Sequence, residues 1–276
     1  DSEITLAKTF GVPDSNSAIS FFTAANFLSY GNNLSVVRAV NSSAKNADAN
    51  TLNSGVLVDN DDVFQTTYSN VDNADAYGPF MARYAGNLGN GITVSVCDNS
   101  TDFDTWEYKG YFQSAPGTST QVSTAGGSND EMHIIVVDSA GNFGTKNAVL
   151  ETFAFVSKAS DASNNGVSNY YKQVVFEQSK YIYATDPADY ANTSSTWGQN
   201  ASGTTFARID AGTYPGGNLA KTLSKGVDAA PSIGNLETAY DQFKNKDSID
   251  VSLVLTGDAS TTLQNYIISN IANPDP

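Results

Sequence analysis

Residues Phe10 to Val40 constrain this chain more than any other stretch, because they spell out a helix, its stop and the segment after it. After a Phe10-Gly11-Val12-Pro13 turn, Ala18, Phe21, Phe22, Ala25 and Leu28 recur at three- and four-residue spacing. That spacing puts them on one face and predicts a helix from about Ser17 to Tyr30, with Asp14, Ser15 or Ser17 as its cap. Gly31 is expected at the left-handed C′ position, handing the chain to an apolar strand from Leu34 to Val40. A helix feeding a strand is the repeating step of an α/β layer. Arg38 then lies near the junction between that layer and the polypeptide beyond it, not in a catalytic site.

The two ends of the chain read alike and differ from the middle. After Pro231, Leu236, Ala239, Tyr240 and Phe243 mark an amphipathic helix. Ile249 to Thr256 is expected as a buried strand, and Leu263, Tyr266, Ile267 and Ile271 as a second helix with Ser260 near its cap. The fold class is therefore mixed α+β. Residues 1–42 and 218–276 are expected to form one discontinuous α/β domain, and residues 43–217 an inserted, outward-facing β-rich domain. Within the insertion, Ile92, Val94 and Val96 alternate after a turn-rich run from Gly86 to Gly91. Met132 to Val137 and Ala148 to Val156 read as a hairpin around Asp138-Ser139-Ala140-Gly141-Asn142-Phe143-Gly144. A helix is expected near Ser168 to Gln178, then a strand at Tyr181-Ile182-Tyr183. Segments 41–76, 114–130 and 186–205, rich in Ser, Thr, Asn, Asp and Gly, are expected as exposed loops.

These pieces occur in an order that resembles the contractile-tail sheath proteins of T-even-like bacteriophages. The likeness rests on the Phe-Gly-x-Pro turn, the Asn26-Phe27-Leu28-Ser29-Tyr30-Gly31 helix end and Val36-Val37-Arg38-Ala39. It continues through Tyr77-Gly78-Pro79, the Tyr84 to Gly89 turn, Ile134-Ile135-Val136-Val137 and Tyr181-Ile182-Tyr183-Ala184-Thr185. It closes on Leu223-Ser224-Lys225-Gly226 and Lys246-Asp247-Ser248-Ile249-Asp250-Val251. The stretch between Val40 and Tyr77 is short for the family, which implies a reduced or absent outermost domain. The family's N-terminal arm and large C-terminal region have no counterpart in these residues. The start, Asp1-Ser2-Glu3, shows neither an initiator Met nor a leader pattern, so the chain is expected to be a fragment.

The resemblance implies a structural subunit of a tail sheath that rearranges from an extended to a contracted lattice and drives the tail tube into the host. It implies partners in neighbouring sheath subunits, the tail tube and the baseplate, and a place in the virion tail after assembly in the host cytoplasm. It implies no enzyme activity, and no catalytic, cofactor-binding or metal-binding residues. The fragment alone is expected to be monomeric.

Composition agrees with several of these exclusions. Fourteen basic against twenty-nine acidic residues give a net charge of −15, which repels a phosphate backbone. Nucleic acid is therefore not an expected partner. No apolar run approaches the length of about eighteen residues that a membrane-spanning helix needs, so no membrane partner is expected. Cys97 is the only cysteine and comes after the apolar run Ile92 to Val96, where it reads as a small buried hydrophobe.

The residues that carry chemistry elsewhere have bland readings here. His133, the sole histidine, sits in Met132-His133-Ile134-Ile135 and reads as structural. No Gly-x-Ser-x-Gly elbow accompanies it and no Gly-Lys dipeptide forms a phosphate loop. Asp98, Ser100, Asp102 and Asp104 alternate as in a calcium loop, but Phe103 and Lys109 stand where glycine and a bidentate acid belong. Asp59, Asp61 and Asp62 likewise read as solvated turn carboxylates. The acceptor sequences at Asn41, Asn99, Asn192 and Asn200 are expected from composition. Trp106, Tyr108, Tyr111 and Phe112 form either a sugar-stacking face or part of the core. The stacking alternative defines the rival reading, a secreted or cell-surface β-rich adhesin or carbohydrate-binding module.

Overall fold

The computed structural model describes residues 2–49, 55–69, 78–185, 196–209, 218–247 and 249–272. Two helices come first, α1 (Glu3–Phe10) and α2 (Ala18–Leu28). The next elements are the strands β1 (Asn46–Asp48), β2 (Phe80–Ala85), β3 (Ile92–Cys97), β4 (Glu131–Asp138) and β5 (Ala148–Ser157). A two-strand ribbon, β6 (Ser163–Asn164) and β7 (Val167–Ser168), precedes α3 (Tyr171–Gln178), β8 (Ile182–Ala184) and β9 (Asn218–Thr222). The chain closes with α4 (Ile233–Asp241) and α5 (Thr261–Ile267). The protein is thus mixed α+β, with antiparallel sheets in the middle and helices toward both ends.

It divides into two units. One holds Asp1–Ala44, Asn142–Gly144 and Ala229–Pro276; the other holds Lys45–Gly141 and Thr145–Asp228. Residues 218–222, grouped with the chain ends on sequence grounds, form β9 and are hydrogen-bonded along β3 in the second unit. Nothing in the short run Asn-Leu-Ala-Lys-Thr names its partner, since pairing is set by the neighbouring strand.

In the second unit the larger sheet has the order β5-β4-β3-β9, antiparallel throughout. β3 and β4 are its inner strands and are buried on both faces almost without interruption. That explains why Ile134 to Val137 run continuously apolar instead of alternating. Short turns of helix at Ser100–Phe103 and Lys109–Tyr111 position the residues that cover one face. Trp106, Cys97, Ile135 and Val137 form a buried cluster there, flanked by Phe103, Tyr108, Phe112 and Val149. The smaller sheet, β1-β2-β8, builds a core from Val58, Phe64, Met81 and Tyr183. Phe64 and Tyr183 stack with centroids 4.0 Å apart, and the Arg83 guanidinium lies 4.9 Å from the Tyr183 ring centre. Residues 114–130 are not a plain loop: Thr120–Thr124 is helical, capped by Ser119, and buries Val122 completely.

The first unit is helical and loosely filled. In α2, Phe21 and Ala25 are buried against Leu6 of α1, while Phe22, expected on the same face, is 51% exposed. Asp14 does not cap α2 itself; its carboxylate accepts from the Asn16 and Ser17 amides and so shapes the turn before the helix. Gly31 is not among the positive-φ glycines, and the helix ends at Ser29 with ordinary right-handed geometry. A Cβ on Gly31 would instead stand 3.3 Å from the Phe27 ring, so close approach is its constraint. α4 opens on a reciprocal capping box between Ser232 and Asn235. α5 is capped by Ser260 as expected, and buries Leu263 and Ile267 together with Ile271.

The two strands expected in this unit are not found among the described residues. Leu34 to Val40 has no helix, turn, bend or ladder, and Ile249 to Thr256 has only a bend at Ser252. Both are strand-like in composition, but a strand exists only through a hydrogen-bonded neighbour, and no described strand ladders with either run. Tyr77 and Ser248, which carry part of the family resemblance, and Asn192 lie outside the described residues.

Backbone crowding yields a test of the second unit. The Asn90 side chain donates to the Gly226 carbonyl and accepts from its amide, and a Cβ on Gly226 would collide with the Gly86 carbonyl oxygen. Gly226→Ala is expected to destabilise the protein by about 1–3 kcal/mol. Gly110→Ala, where a Cβ meets nothing within 4 Å, serves as the neutral control. Urea midpoints for the two variants check this.

Candidate functional site

β3 and β5 both run antiparallel to β4, so they are parallel to one another and their C-terminal ends emerge on one side of the sheet. The residues just past those ends, Asp98 and Lys158, meet there in an ion pair of 2.8 Å with neither side chain exposed. The ammonium spends its other protons on the Asn129 and Ala207 carbonyls, at 3.1 and 3.0 Å. Asp98 Oδ2 also accepts the Ile209 amide at 2.8 Å, and Oδ1 accepts from the Asn99 side chain. The Trp197 ring closes over the lysine, 4.9 Å from Nζ, and its own N–H donates to the Ala207 carbonyl. Next to this pair, Asp130 accepts from the Ser157 hydroxyl and the Ser119 amide.

Such a pair is costly to desolvate and holds only when every proton and lone pair is matched. Burial pushes the Lys158 pKa down, opposed chiefly by the charge of Asp98. With its donors engaged and no solvent contact, the pair ties residues 196–209 to the end of the sheet. The alternating oxygens that invited a calcium reading are dispersed by the fold. Asn99 caps the helical turn Ser100–Phe103 through the Asp102 amide, and Asp98 faces inward to Lys158. Among the described residues no group of three or more His, Cys, Asp or Glu could hold a metal ion.

His133 lies in β4 with no exposed surface. Its Nδ1 accepts the Phe155 amide at 3.1 Å, which leaves Nε2 to carry the proton donated to the Ser114 carbonyl at 2.8 Å. Phe112 stacks on the imidazole at 4.2 Å, and Phe155 meets it edge-on at 4.5 Å. Phe155 has φ +54°, beside a register shift between β4 and β5, so the histidine anchors a left-handed kink. Desolvation holds the His133 pKa below its ordinary value, with the Ser114 bond opposing. Cys97 is buried in the next strand, and burial pushes its thiol up to about 12, away from thiolate chemistry.

Trp106 is 4% exposed and donates its N–H to Ser95 Oγ, which removes it as a stacking platform; of that cluster only Tyr111 stands well out, at 59%. Asp61 is held by Arg83 at 2.7 Å and by the Tyr183 hydroxyl, while no described contact of this kind joins it to Asp59 or Asp62. Sequence reasoning passed over Lys158, Arg83 and Lys225. Lys225 pairs with buried Asp48 at 2.6 Å. The one available signal was a lysine directly after the apolar run ending Val156-Ser157.

The remaining candidate surface is apolar and belongs to the first unit. Ile4, Ile19, Phe22, Tyr30, Leu253 and Ile268 are each more than half exposed there, whereas only Tyr111 and Val167 reach that level in the second unit, among the described residues. No described helix is long and apolar enough to cross a membrane.

Buried charges of the second unit are thus paired within it, as Asp98–Lys158 and Asp48–Lys225. No family model matches the chain. Over 189 residues it is 29% identical to a tail sheath protein of Salmonella phage ViI, a distant homologue. The match covers 68% of this chain and 26% of the relative, so the chain spans about a quarter of that protein's length.

Two outcomes test the geometry. Lys158→Met strands the Asp98 carboxylate and is expected to cost about 3–5 kcal/mol, read from urea unfolding. For His133, the unfolded imidazole takes its proton near pH 6.5 and the folded one only at lower pH. The contribution is complete above about pH 6.5 and lost as the pH falls toward the folded value. Glu131 and Glu151, raised by burial, act in the opposite direction around and above their ordinary range. His133→Asn is expected to be less stable at neutral pH by about 1–3 kcal/mol and to lose slope between about pH 7 and 5. Denaturation across a pH series checks both.

Proposed function

We propose that this chain is a portion of a contractile-tail sheath subunit of a T-even-like bacteriophage. The observation that carries the reading is the distant similarity to a tail sheath protein over two thirds of the chain, in line with the ordered landmarks from Phe10 to Val251. On this reading copies of the whole subunit surround the tail tube in an extended lattice anchored at the baseplate. They then shift into a shorter, wider lattice that drives the tube into the host. Such a change is a rigid-body rearrangement between two packings of folded subunits. A second unit cross-tied by Asp98–Lys158 and Asp48–Lys225 suits a body that keeps its shape while its contacts change. The work is done by surface contacts, with no residue acting as acid, base or nucleophile. Assembly takes place in the host cytoplasm and the product resides in the virion tail.

The reading is tested by labelling purified virions with antibody against this chain. Label along the length of a contractile tail is expected; label confined to the head, or absent from particles, overturns it. On its own the 276-residue chain is expected to sediment as a monomer. Tubes or rings formed from it alone contradict that expectation.

A further inference from the structure

Of the described ion pairs, Asp98–Lys158 alone has no exposed side chain at either end; Arg83–Asp61 and Lys225–Asp48 each keep solvent contact. An amine and a carboxyl group held together without water are the reactants of an amide. In solution the charges on both groups and the surrounding water oppose their condensation, and here both obstacles are reduced. Burial favours the uncharged amine of Lys158, opposed chiefly by the charge of Asp98. One proton crossing the 2.8 Å hydrogen bond from Nζ to Asp98 Oδ2 leaves an amine facing a carboxylic acid.

The surroundings aim that amine. Two protons stay on Nζ, and the Asn129 and Ala207 carbonyls, at 3.1 and 3.0 Å, are placed to hold them. The direction of the transferred proton becomes that of the lone pair, which points at the Asp98 carboxyl group. There the Asn99 side chain donates to Oδ1 at 3.2 Å and the Ile209 amide to Oδ2 at 2.8 Å, so both oxygens meet donors as charge develops on them. The Trp197 ring, 4.9 Å from Nζ, covers the lysine. A desolvated lysine is an activated nucleophile, and fixed contact with its target replaces a bimolecular encounter.

We propose that Lys158 and Asp98 condense into an intramolecular amide, an isopeptide cross-link between the residues that follow β5 and β3. Nζ attacks Asp98 Cγ and forms the C–N bond while the carbonyl electron pair moves onto Oδ1, beside Asn99. A proton from Nζ passes to the Oδ2 hydroxyl, the Cγ–Oδ2 bond breaks, the Oδ1 pair re-forms the carbonyl, and one water leaves. Ammonium and carboxylate thus become one amide and one water, with nothing oxidised or reduced and no co-reactant. The N–H that remains on Nζ stays with one of the two backbone carbonyls. Exclusion of water, which favours the condensation, also protects the product from hydrolysis. The bond joins residues sixty apart and so constrains the unfolded chain. The proposal stands independently of the sheath reading.

Mass spectrometry of the native protein, denatured and then digested with trypsin, tests this. An ion pair does not survive denaturation, whereas an amide does. Trypsin does not cut after an acylated lysine, so a branched peptide joining residues 84–109 to residues 147–172 is expected, one water lighter than the two sequences together. The undigested protein is expected to be lighter than its sequence by the same water. Lys158→Arg keeps a cation opposite Asp98 but is expected to show the full mass and a linear 84–109 peptide. Linear peptides 84–109, 147–158 and 159–172 from the unsubstituted protein, with no water lost, overturn the proposal and leave the pair ionic. A lost water that maps within a single linear peptide overturns it as well.

Discussion

The Asp98–Lys158 pair is the constraint on which the second unit depends. Two charges without solvent contact are tolerable only where the surroundings complete their hydrogen bonds, and here the completing groups come from separate stretches of chain: Asn129 on one side, Ala207 and Ile209 on the other. Satisfying one lysine therefore fixes the ends of β3 and β5, the approach to β4 and residues 196–209 at once. The network does not add much net free energy relative to a well-packed apolar alternative. It imposes a single arrangement, since any slip strands a charge.

His133 applies the same logic with a neutral group. Its ring is shared between the aromatic layer and two backbone partners, one of which belongs to a kinked Phe155. A histidine in a strand usually invites a catalytic or metal reading. Both nitrogens are committed to the protein's own backbone, and what the imidazole supplies is an acceptor at a bulge that no apolar side chain could fill.

The first unit is held differently. Its buried clusters are small, Leu6 with Phe21 and Ala25 and Leu263 with Ile267 and Ile271, and its exposed apolar side chains are large. The second unit is held by buried ion pairs and two sheets, the first by two small apolar clusters.

Local sequence determined the elements whose causes are local. Helical spacing located α2, α4 and α5, Ser260 marked the cap it makes, and the apolar runs Met132 to Val137 and Ala148 to Val156 announced the paired strands β4 and β5. The placement of His133 and Cys97 in the core was legible for the same reason. What depends on partners far along the chain was not. Lys158 and Asp98 stand sixty residues apart and meet only because β4 makes β3 and β5 parallel. β9 belongs to its sheet through β3 and not through its own side chains. Leu34–Val40 and Ile249–Thr256 have the composition of strands, yet composition supplies only propensity. A ladder needs a neighbour at hydrogen-bonding distance, and that is a property of the tertiary structure.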